Sequence, residues 1–270
     1  MKTVLFCVNY NSYMELDGYL RSIEAAEKKS GLGNSVTVVV SDNSSKPVDY
    51  SYTGTLDVRI LNTNANLGYF GGISFGIEES GLCLSDYDFI VFSNVDLFLP
   101  EGFFSALYSE KIEKNVGCIA PSILSEGEGV NRNPKVLTRY SAKKLKVLRT
   151  MFRFPVLWKL YNSLFHGKRR KKLQSGNTTQ CDIYAAHGSF MLFTNAFAGF
   201  LQSMKYPSFL FCEELFVAEN IRKNNLRTVF MPQLIVNDID HVSTRQMKGS
   251  LYFKYNYESL NMILKEYYSE

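Results

Sequence analysis

The chain predicts an α/β fold with a mainly parallel sheet flanked by helices, and three observations predict it. Short apolar, often β-branched runs alternate with helix-like stretches over the first hundred residues. Each run stops in a cluster of Asn, Asp, Ser or Gly, which gathers the polar loops at the carboxyl edge of the sheet, where open α/β folds bind ligands. An apolar share of 46% and a charged share of 21% over 270 residues supply the core that such a sheet needs.

The elements follow in order. Residues 3–8 read as a first strand, and Asn9-Tyr10-Asn11-Ser12 as a polar loop capping a helix through about Glu27. A second strand over 35–40 ends in Ser41-Asp42-Asn43-Ser44-Ser45. A third over 58–61 ends in a loop running from Asn62 to Gly68, and a helix is expected from about Gly71 to Glu79. The strand over 89–92 ends in Asn94-Val95-Asp96. Beyond it, 117–121 reads as a strand and 126–134 as a polar loop. Residues 141–166 read as two short amphipathic helices broken at Pro155. Leu145, Leu148 and Phe152 form one stripe; Leu157, Leu160, Tyr161 and Leu164 form the other. Residues 184–194 and 228–231 read as strands with a helix over 213–224 between them, 234–236 is strand-like, and 252–268 reads as a last helix. The expected organisation is one domain over 1–270, with 139–172 a basic helical insertion and 246–270 a C-terminal helix.

The net charge of +4 conceals an asymmetry. Residues 139–172 hold twelve Lys or Arg and no acid, so the rest of the chain has 18 basic against 26 acidic residues, a formal charge near −8. Lys and Arg on one face of this segment, Trp158 and Phe on the other, and the closing Lys168-Arg169-Arg170-Lys171-Lys172 suit an anionic membrane surface; a solvated helical pair packed on the domain is the plainer reading. No RNA-recognition signature accompanies the charge, so nucleic acid is not an expected partner. No apolar run approaches the roughly 18 residues needed to span a bilayer. The N-terminal apolar segment is too brief for a signal peptide. Five scattered cysteines without a CxxC pair read as reduced thiols, and the expected location is cytoplasmic, peripheral on the inner face of the plasma membrane where the basic segment docks.

Several clusters could carry chemistry. Asn94 and Asp96 are two residues apart, so on a strand they leave on the same side, and oxygen ligands there can hold a divalent cation against a diphosphate. Taken alone, the pair is equally a strand end capped by turn-forming residues. The glycines of Asn66-Leu67-Gly68-Tyr69-Phe70-Gly71-Gly72 would allow close approach of a ligand to the start of a helix whose free N–H groups favour phosphate; a Gly-rich turn is the alternative. Asp42 could accept a hydrogen bond from a nucleobase or ribose, or simply make an Asx-turn. Glu213-Glu214 follow the apolar Phe209-Leu210-Phe211-Cys212, where burial would raise a carboxylate pKa and suit a general base; they could instead cap the following helix. His241 could supply a nitrogen ligand to a metal.

Taken in order, Asn9-Tyr10-Asn11-Ser12, Ser41-Asp42-Asn43-Ser44, Asn66 to Gly72, Asn94-Val95-Asp96, Gly188 to Leu192, Glu213-Glu214 and His241 resemble the family 2 glycosyltransferases, in particular their bacterial rhamnosyltransferase-like branch. The resemblance spans roughly 3–125 and 181–245. It implies a GT-A fold and an enzyme that transfers a sugar, with inversion, from a nucleotide-diphosphate donor; the expected acceptor is a saccharide hydroxyl in surface polysaccharide synthesis, lipid-linked if the basic segment docks the enzyme on a membrane. It implies donor contacts from Asn9, Asn11, Asp42, Asn66, Gly68, Gly71, Gly72 and Asn94. It further implies a divalent cation (Mg or Mn) on Asp96 with His241 as a second ligand, and a general base at Glu214, with Glu213 as the substitute. Glu214 stands where the family usually has Asp, and Asn94 replaces an acid of the family's metal motif. The rival readings are a nucleotidyltransferase of related fold and a catalytically silent nucleotide-sugar-binding protein. The first usually needs a basic loop after the first strand, and Asn9-Tyr10-Asn11-Ser12 has no Lys or Arg.

Overall fold

A computed structural model describes residues 1–33, 35–156, 158, 179–239 and 249–268. The strands are β1 Thr3–Asn9, β2 Val36–Asp42, β3 Asp57–Asn62, β4 Phe89–Asn94, β5 Leu97–Phe98, β6 Val116–Ser125, β7 Val130–Asn131, β8 Cys181–Ile183, β9 Phe190–Thr194 and β10 Arg227–Asp238. The helices are α1 Tyr13–Ser30, α2 Tyr69–Ser80, α3 Phe103–Ser109, α4 Ala142–Arg153, α5 Ala198–Gln202, α6 Glu213–Lys223 and α7 Gly249–Tyr267. All lie on or around one mixed sheet of order β3-β2-β1-β4-β9-β6-β10-β5, with β7 paired to β6 and β8 to β10.

Parallel pairing from β3 through β4 turns the sequence clusters into a row. Asn9 is level with Asp42, Asp42 with Asn62, and Val8 with Asn94, so four strand ends open on one edge. The strands alternate little because helices cover both faces, leaving them apolar on both sides. One face packs on α1 and α3 through Leu16, Leu20, Ile23, Phe104 and Leu107; the other packs on α2, α6 and α7 through Phe70, Ile73, Phe216, Ile221 and Ile263.

Two departures from the sequence reading matter for the site. The single strand expected over 184–194 begins only at Phe190, because residues 187–189 form a turn in which the Ser189 amide donates to Nδ1 of His187 (3.2 Å). The strand that results, β9, is antiparallel and lies between β4 and β6, with Ser93 level with Phe190. The expected runs over 228–231 and 234–236 are one long strand, β10, whose register against β6 shifts between Met231 and Ile235. Of the basic segment, the first expected helix is α4; its buried Leu145 and Phe152 face α7, where Phe152 lies 5.8 Å from Tyr252, ring centre to ring centre. Most of the second expected helix and Lys168 to Lys172 lie outside the described residues.

Candidate functional site at the carboxyl edge

Asn9, Asp42 and Ser44 form a clamp across the ends of β1 and β2. Asp42 Oδ1 accepts from Asn9 Nδ2 (3.1 Å), the Ser44 amide (3.1 Å) and Ser44 Oγ (2.5 Å), while Oδ2 accepts from the Tyr13 hydroxyl (2.6 Å). Asn9 Oδ1 accepts from the Ser12 amide (3.1 Å), and Ser44 Oγ accepts from the Asn11 amide (2.8 Å). The side chains of Asn9 and Asp42 are therefore engaged within the protein, while the Asn11 side chain stays exposed.

The glycine-rich segment is built around internal close approach. Gly68 has φ of 75°, and a Cβ there would stand 2.1 Å from the Phe209 carbonyl oxygen. Its amide donates to Asn66 Oδ1 (3.0 Å), and its carbonyl accepts from Asn43 Nδ2 (2.8 Å). A Cβ on Gly72 would meet Val8 at 2.9 Å. The sequence reading took these glycines as making room for a ligand. At Gly68 and Gly72 the room is used by Phe209 and Val8, and only Gly71, where a Cβ would meet Leu67 at 3.1 Å, lacks a close neighbour of that kind.

The segment before α6 packs on this loop and carries the paired acids. Tyr206 packs edge-on against Phe70 (5.5 Å between ring centres), its hydroxyl donates to the Phe211 carbonyl, and Ser74 Oγ donates to the Met204 carbonyl (3.1 Å). Phe211 and Cys212 both sit in the left-handed region, with φ of 71° and 62°. Each such non-glycine residue costs about 1–3 kcal/mol, a strain that recurs at functional sites. The turn delivers Glu213 and Glu214 into the first turn of α6, where acids favour the helix dipole. Glu213 is buried, and its Oε1 accepts from the Phe211 amide (2.8 Å). Burial first, and then the charge of Glu214, push its pKa up to about 8, so it holds its proton at neutral pH. Glu214 is partly exposed and borders Gly188, where a Cβ would lie 3.4 Å from Glu214 Oε1.

The same turn at 187–189 reaches the opposite acid. Ser189 O accepts from the Asn94 amide (2.9 Å), and the Asn94 side chain donates to Asp96. Asp96 lies between β4 and β5, and its carbonyl accepts from Ile239 (3.2 Å). Burial, and next the charge of Asp238, raise the Asp96 pKa to about 6, against the opposing pull of its own backbone, Asn94 and Arg132. Arg132 Nε donates to the buried Asp238 Oδ2 (2.5 Å). Close carboxylates whose charge is incompletely offset, at a sheet edge, make a setting that a divalent cation would relieve. Among the described residues no group of three or more His, Cys, Asp or Glu is arranged to hold a metal. A cation on Asp96 would thus complete its shell with oxygens of a bound diphosphate or a group beyond those residues. His241 lies outside them.

The structure thus joins the sequence-predicted clusters into one edge: Asn9 to Asp42, Gly68 to the Phe209 segment, and Glu214 through Gly188 and Ser189 to Asn94 and Asp96. Sequence reasoning missed Asn43, Gly188 and Arg132 as individual site residues. Arg132 had no local signal, because only folding brings it to Asp238.

Neither a protein-family model nor a curated protein sequence matches the chain. Solved structures do. A crystal structure of GalNAc-T7 with UDP, GalNAc and Mn2+ superposes with a TM-score of 0.59 at 11% identity, covering 98% of this chain and 48% of that one. The crystal structure of S. aureus TarS superposes with a TM-score of 0.54 at 12% identity, covering 88% and 37%. The chain spans less than half the length of either. At these identities the likeness is one of fold, and the fold is that of the GT-A glycosyltransferases.

Proposed function

We propose that the chain is a nucleotide-sugar glycosyltransferase of the family 2, rhamnosyltransferase-like kind, which transfers a sugar with inversion from a nucleoside diphosphate donor to a saccharide hydroxyl in surface polysaccharide synthesis. The observation that carries this reading is the convergence of Asp96 and Glu214 through the Gly188-Ser189 turn at the ligand-binding edge of a GT-A sheet. The clamp around Asp42 frames the nucleoside end, with Asn9, Asn11, Asn66, Gly68, Gly71, Gly72 and Asn94 along the donor path. Asp96, with His241, would hold a divalent cation, which would offset the negative charge growing on the diphosphate leaving group.

Two neighbouring acids take different roles because their surroundings differ. Glu213, protonated at neutral pH and bonded to the Phe211 amide, is spent on holding the strained turn. Glu214, partly exposed on the Gly188 side, takes the proton of the attacking acceptor hydroxyl. Attack opposite the leaving group inverts the anomeric carbon without a covalent enzyme intermediate. The test is a thermal-shift panel of UDP, dTDP, GDP and CDP, each with and without Mn2+, followed by turnover of Glu214→Gln. We expect one nucleotide to stabilise the protein and the variant to bind it normally while kcat falls about 10²–10⁴-fold. Stabilisation by none of them would remove the donor site; undiminished turnover would move the base elsewhere.

The acceptor is proposed to be lipid-linked and reached from an anionic membrane surface through residues 139–172. Helix α4 carries Lys143, Lys144, Lys146, Arg149 and Arg153 and no acid, and Val147 (47% exposed), Phe154 (50%) and Val156 (77%) stand out beside them. Among the described residues no helix is long and apolar enough to cross a membrane. Vesicles containing phosphatidylglycerol should sediment the protein and phosphatidylcholine vesicles should not, and Phe154→Glu with Val156→Glu should reduce binding about tenfold or more. Equal sedimentation with both lipids would defeat the idea.

A further inference from the structure

The turn at 187–189 links the two sides of the proposed site and carries one titratable side chain, His187. Gly188 borders Glu214, where a Cβ would lie 3.4 Å from Oε1, and the Ser189 carbonyl accepts from the Asn94 amide (2.9 Å). The Cα of His187 is about 3.8 Å from that of Gly188, as for any trans-linked neighbours. Its backbone is pinned. The His187 amide donates to Oδ1 of the buried Asn133 (2.8 Å), whose Nδ2 donates to the Pro121 carbonyl (2.9 Å). Its ring is pinned as well, since Nδ1 accepts from the Ser189 amide (3.2 Å) and stands 2.8 Å from Ser189 Oγ. An amide can only donate, so Nδ1 offers its lone pair and the neutral ring carries its proton on Nε2. Burial first, and then the charges of Lys135 and Arg132, hold the His187 pKa well below the usual histidine value, so the neutral ring is the form present. Nε2 has no hydrogen-bond partner among the described residues, but it is not one of the buried atoms left without one, which are Asn43 Oδ1 and the Tyr69 hydroxyl. The residue is half-buried, and its ring N–H is therefore open to solvent.

We propose that His187 is a sugar-binding residue whose Nε2–H donates to an oxygen of the sugar being transferred. The inference rests on the glycosyltransferase reading and adds a residue to it. In that reaction the anomeric carbon has the diphosphate, with a cation on Asp96, on one side and the acceptor hydroxyl, with Glu214, on the other. The rest of the sugar then lies against the turn that links those two sides, where His187 is fixed. Sugar hydroxyls accept hydrogen bonds as well as donate them, and a neutral N–H meets them without the pull on phosphate that a Lys or Arg would add. The contact should thus discriminate the sugar and leave the diphosphate alone. The bonds to Ser189 and Asn133 hold the donor in place before the ligand arrives, so binding freezes little further motion. The two ring nitrogens have separate duties, and substitution can separate them. His187→Asn keeps an acceptor near the position of Nδ1 for the Ser189 amide and removes the outer donor. His187→Gln reaches about as far as Nε2 and restores an N–H there.

The experiment is calorimetric titration, with Mn2+ present, of wild type, His187→Asn and His187→Gln. The ligands are UDP, dTDP, GDP and CDP, and UDP-glucose, dTDP-rhamnose, GDP-mannose and CDP-glucose. On the nucleotide sugar that wild type binds, His187→Asn should lose roughly tenfold in affinity, the worth of one hydrogen bond, and His187→Gln should recover most of that loss. For the matching diphosphate, His187→Asn should lose less than about twofold, because the ring does not reach it. An equal loss on both ligands would overturn the inference by making His187 a support of the site's shape. No loss on either would overturn it too, leaving the glycosyltransferase reading in place. A second measurement needs no variant. The chain has three histidines, so nitrogen-15 labelling of histidine leaves few ring signals to assign. With Mg2+ in place of Mn2+, the His187 Nε2–H resonance should move further on adding the nucleotide sugar than on adding the diphosphate. Equal shifts would overturn the inference even if neither variant folded. If wild type binds none of the four diphosphates, the donor reading falls and takes this inference with it. If it binds a diphosphate but none of the nucleotide sugars, this inference falls alone.

Discussion

Asp42 and Asp96 stand at the ends of strands on either side of β1 and are treated oppositely by their surroundings. Asp42 is almost fully buried, and Asn9, Ser44 and Tyr13 satisfy its carboxylate. Asp96 keeps part of its surface and faces a second acid, and its pKa is driven up to about 6. The contrast extends to their neighbourhoods. Around Asp42, Gly68 and the residues of the clamp lock loops together. Beyond Asp96, across the Gly188-Ser189 turn, stand the paired acids, one of them buried and holding its proton, with a strained double turn before them. A region in which nearly all local preferences agree, as around Asp42 where Asn43 Oδ1 is left without a partner, is a frame, and one in which several disagree is where function is bought with stability. Substitutions in the two regions should then shift stability in opposite directions.

The largest effect is expected on the frame side. Gly68→Ala forces a side chain into a left-handed φ of 75° and a Cβ to 2.1 Å from the Phe209 carbonyl. Strain and overpacking together should cost about 3–5 kcal/mol, read from urea unfolding. Because Phe209 leads into the Glu213 turn, the variant should also lose turnover beyond its loss of stability. A cost under about 1 kcal/mol would show that the loop yields freely and that the frame is not rigid. The expected size comes from backbone meeting backbone, which no rotamer change can relieve.

Much of the frame is legible in the sequence because its signals are local. Apolar runs and the polar residues that end them specify β1 to β4, and parallel pairing then aligns Asn9, Asp42 and Asn62 without further information. The glycines at 68, 71 and 72 are equally visible, but their purpose is not. Whether a missing Cβ makes room for a ligand or for the Phe209 carbonyl depends on a segment about 140 residues away. The carboxylate corner is less legible for the same reason. That Asn94-Val95-Asp96 and Glu213-Glu214 are chemically suggestive can be read directly. That they meet requires β9 to enter antiparallel beside β4, so that the turn at 187–189 touches both. The sequence reading ran 184–194 as one strand and so passed over that turn. The pairing of Arg132 with Asp238 likewise has no local trace, since it joins residues 106 apart.

The opposite sign is expected at Glu213. Its pKa is raised from an ordinary carboxylate value of 4.5 to about 8 in the folded protein. Below pH 4.5 both folded and unfolded chains carry the proton, and the group does not affect stability. Between pH 4.5 and 8 only the folded chain retains it, so stability falls as pH rises through this window and levels off above it. At pH 7 the loss should amount to about 3 kcal/mol, given ~1.4 kcal/mol per pKa unit. Glu213→Gln keeps the shape, and its Oε1 can still accept from the Phe211 amide. The variant should therefore be more stable than wild type by about that amount at pH 7 and by nothing near pH 4.5. Urea unfolding at the two pH values measures the difference. A variant less stable than wild type at pH 7 would mean that the ionised acid is favoured there. The division between a satisfied frame and a frustrated corner would then fail at its most buried member. With the expected sign, Glu213→Gln retaining turnover while Glu214→Gln loses it would separate the acid that holds the turn from the acid that takes the proton.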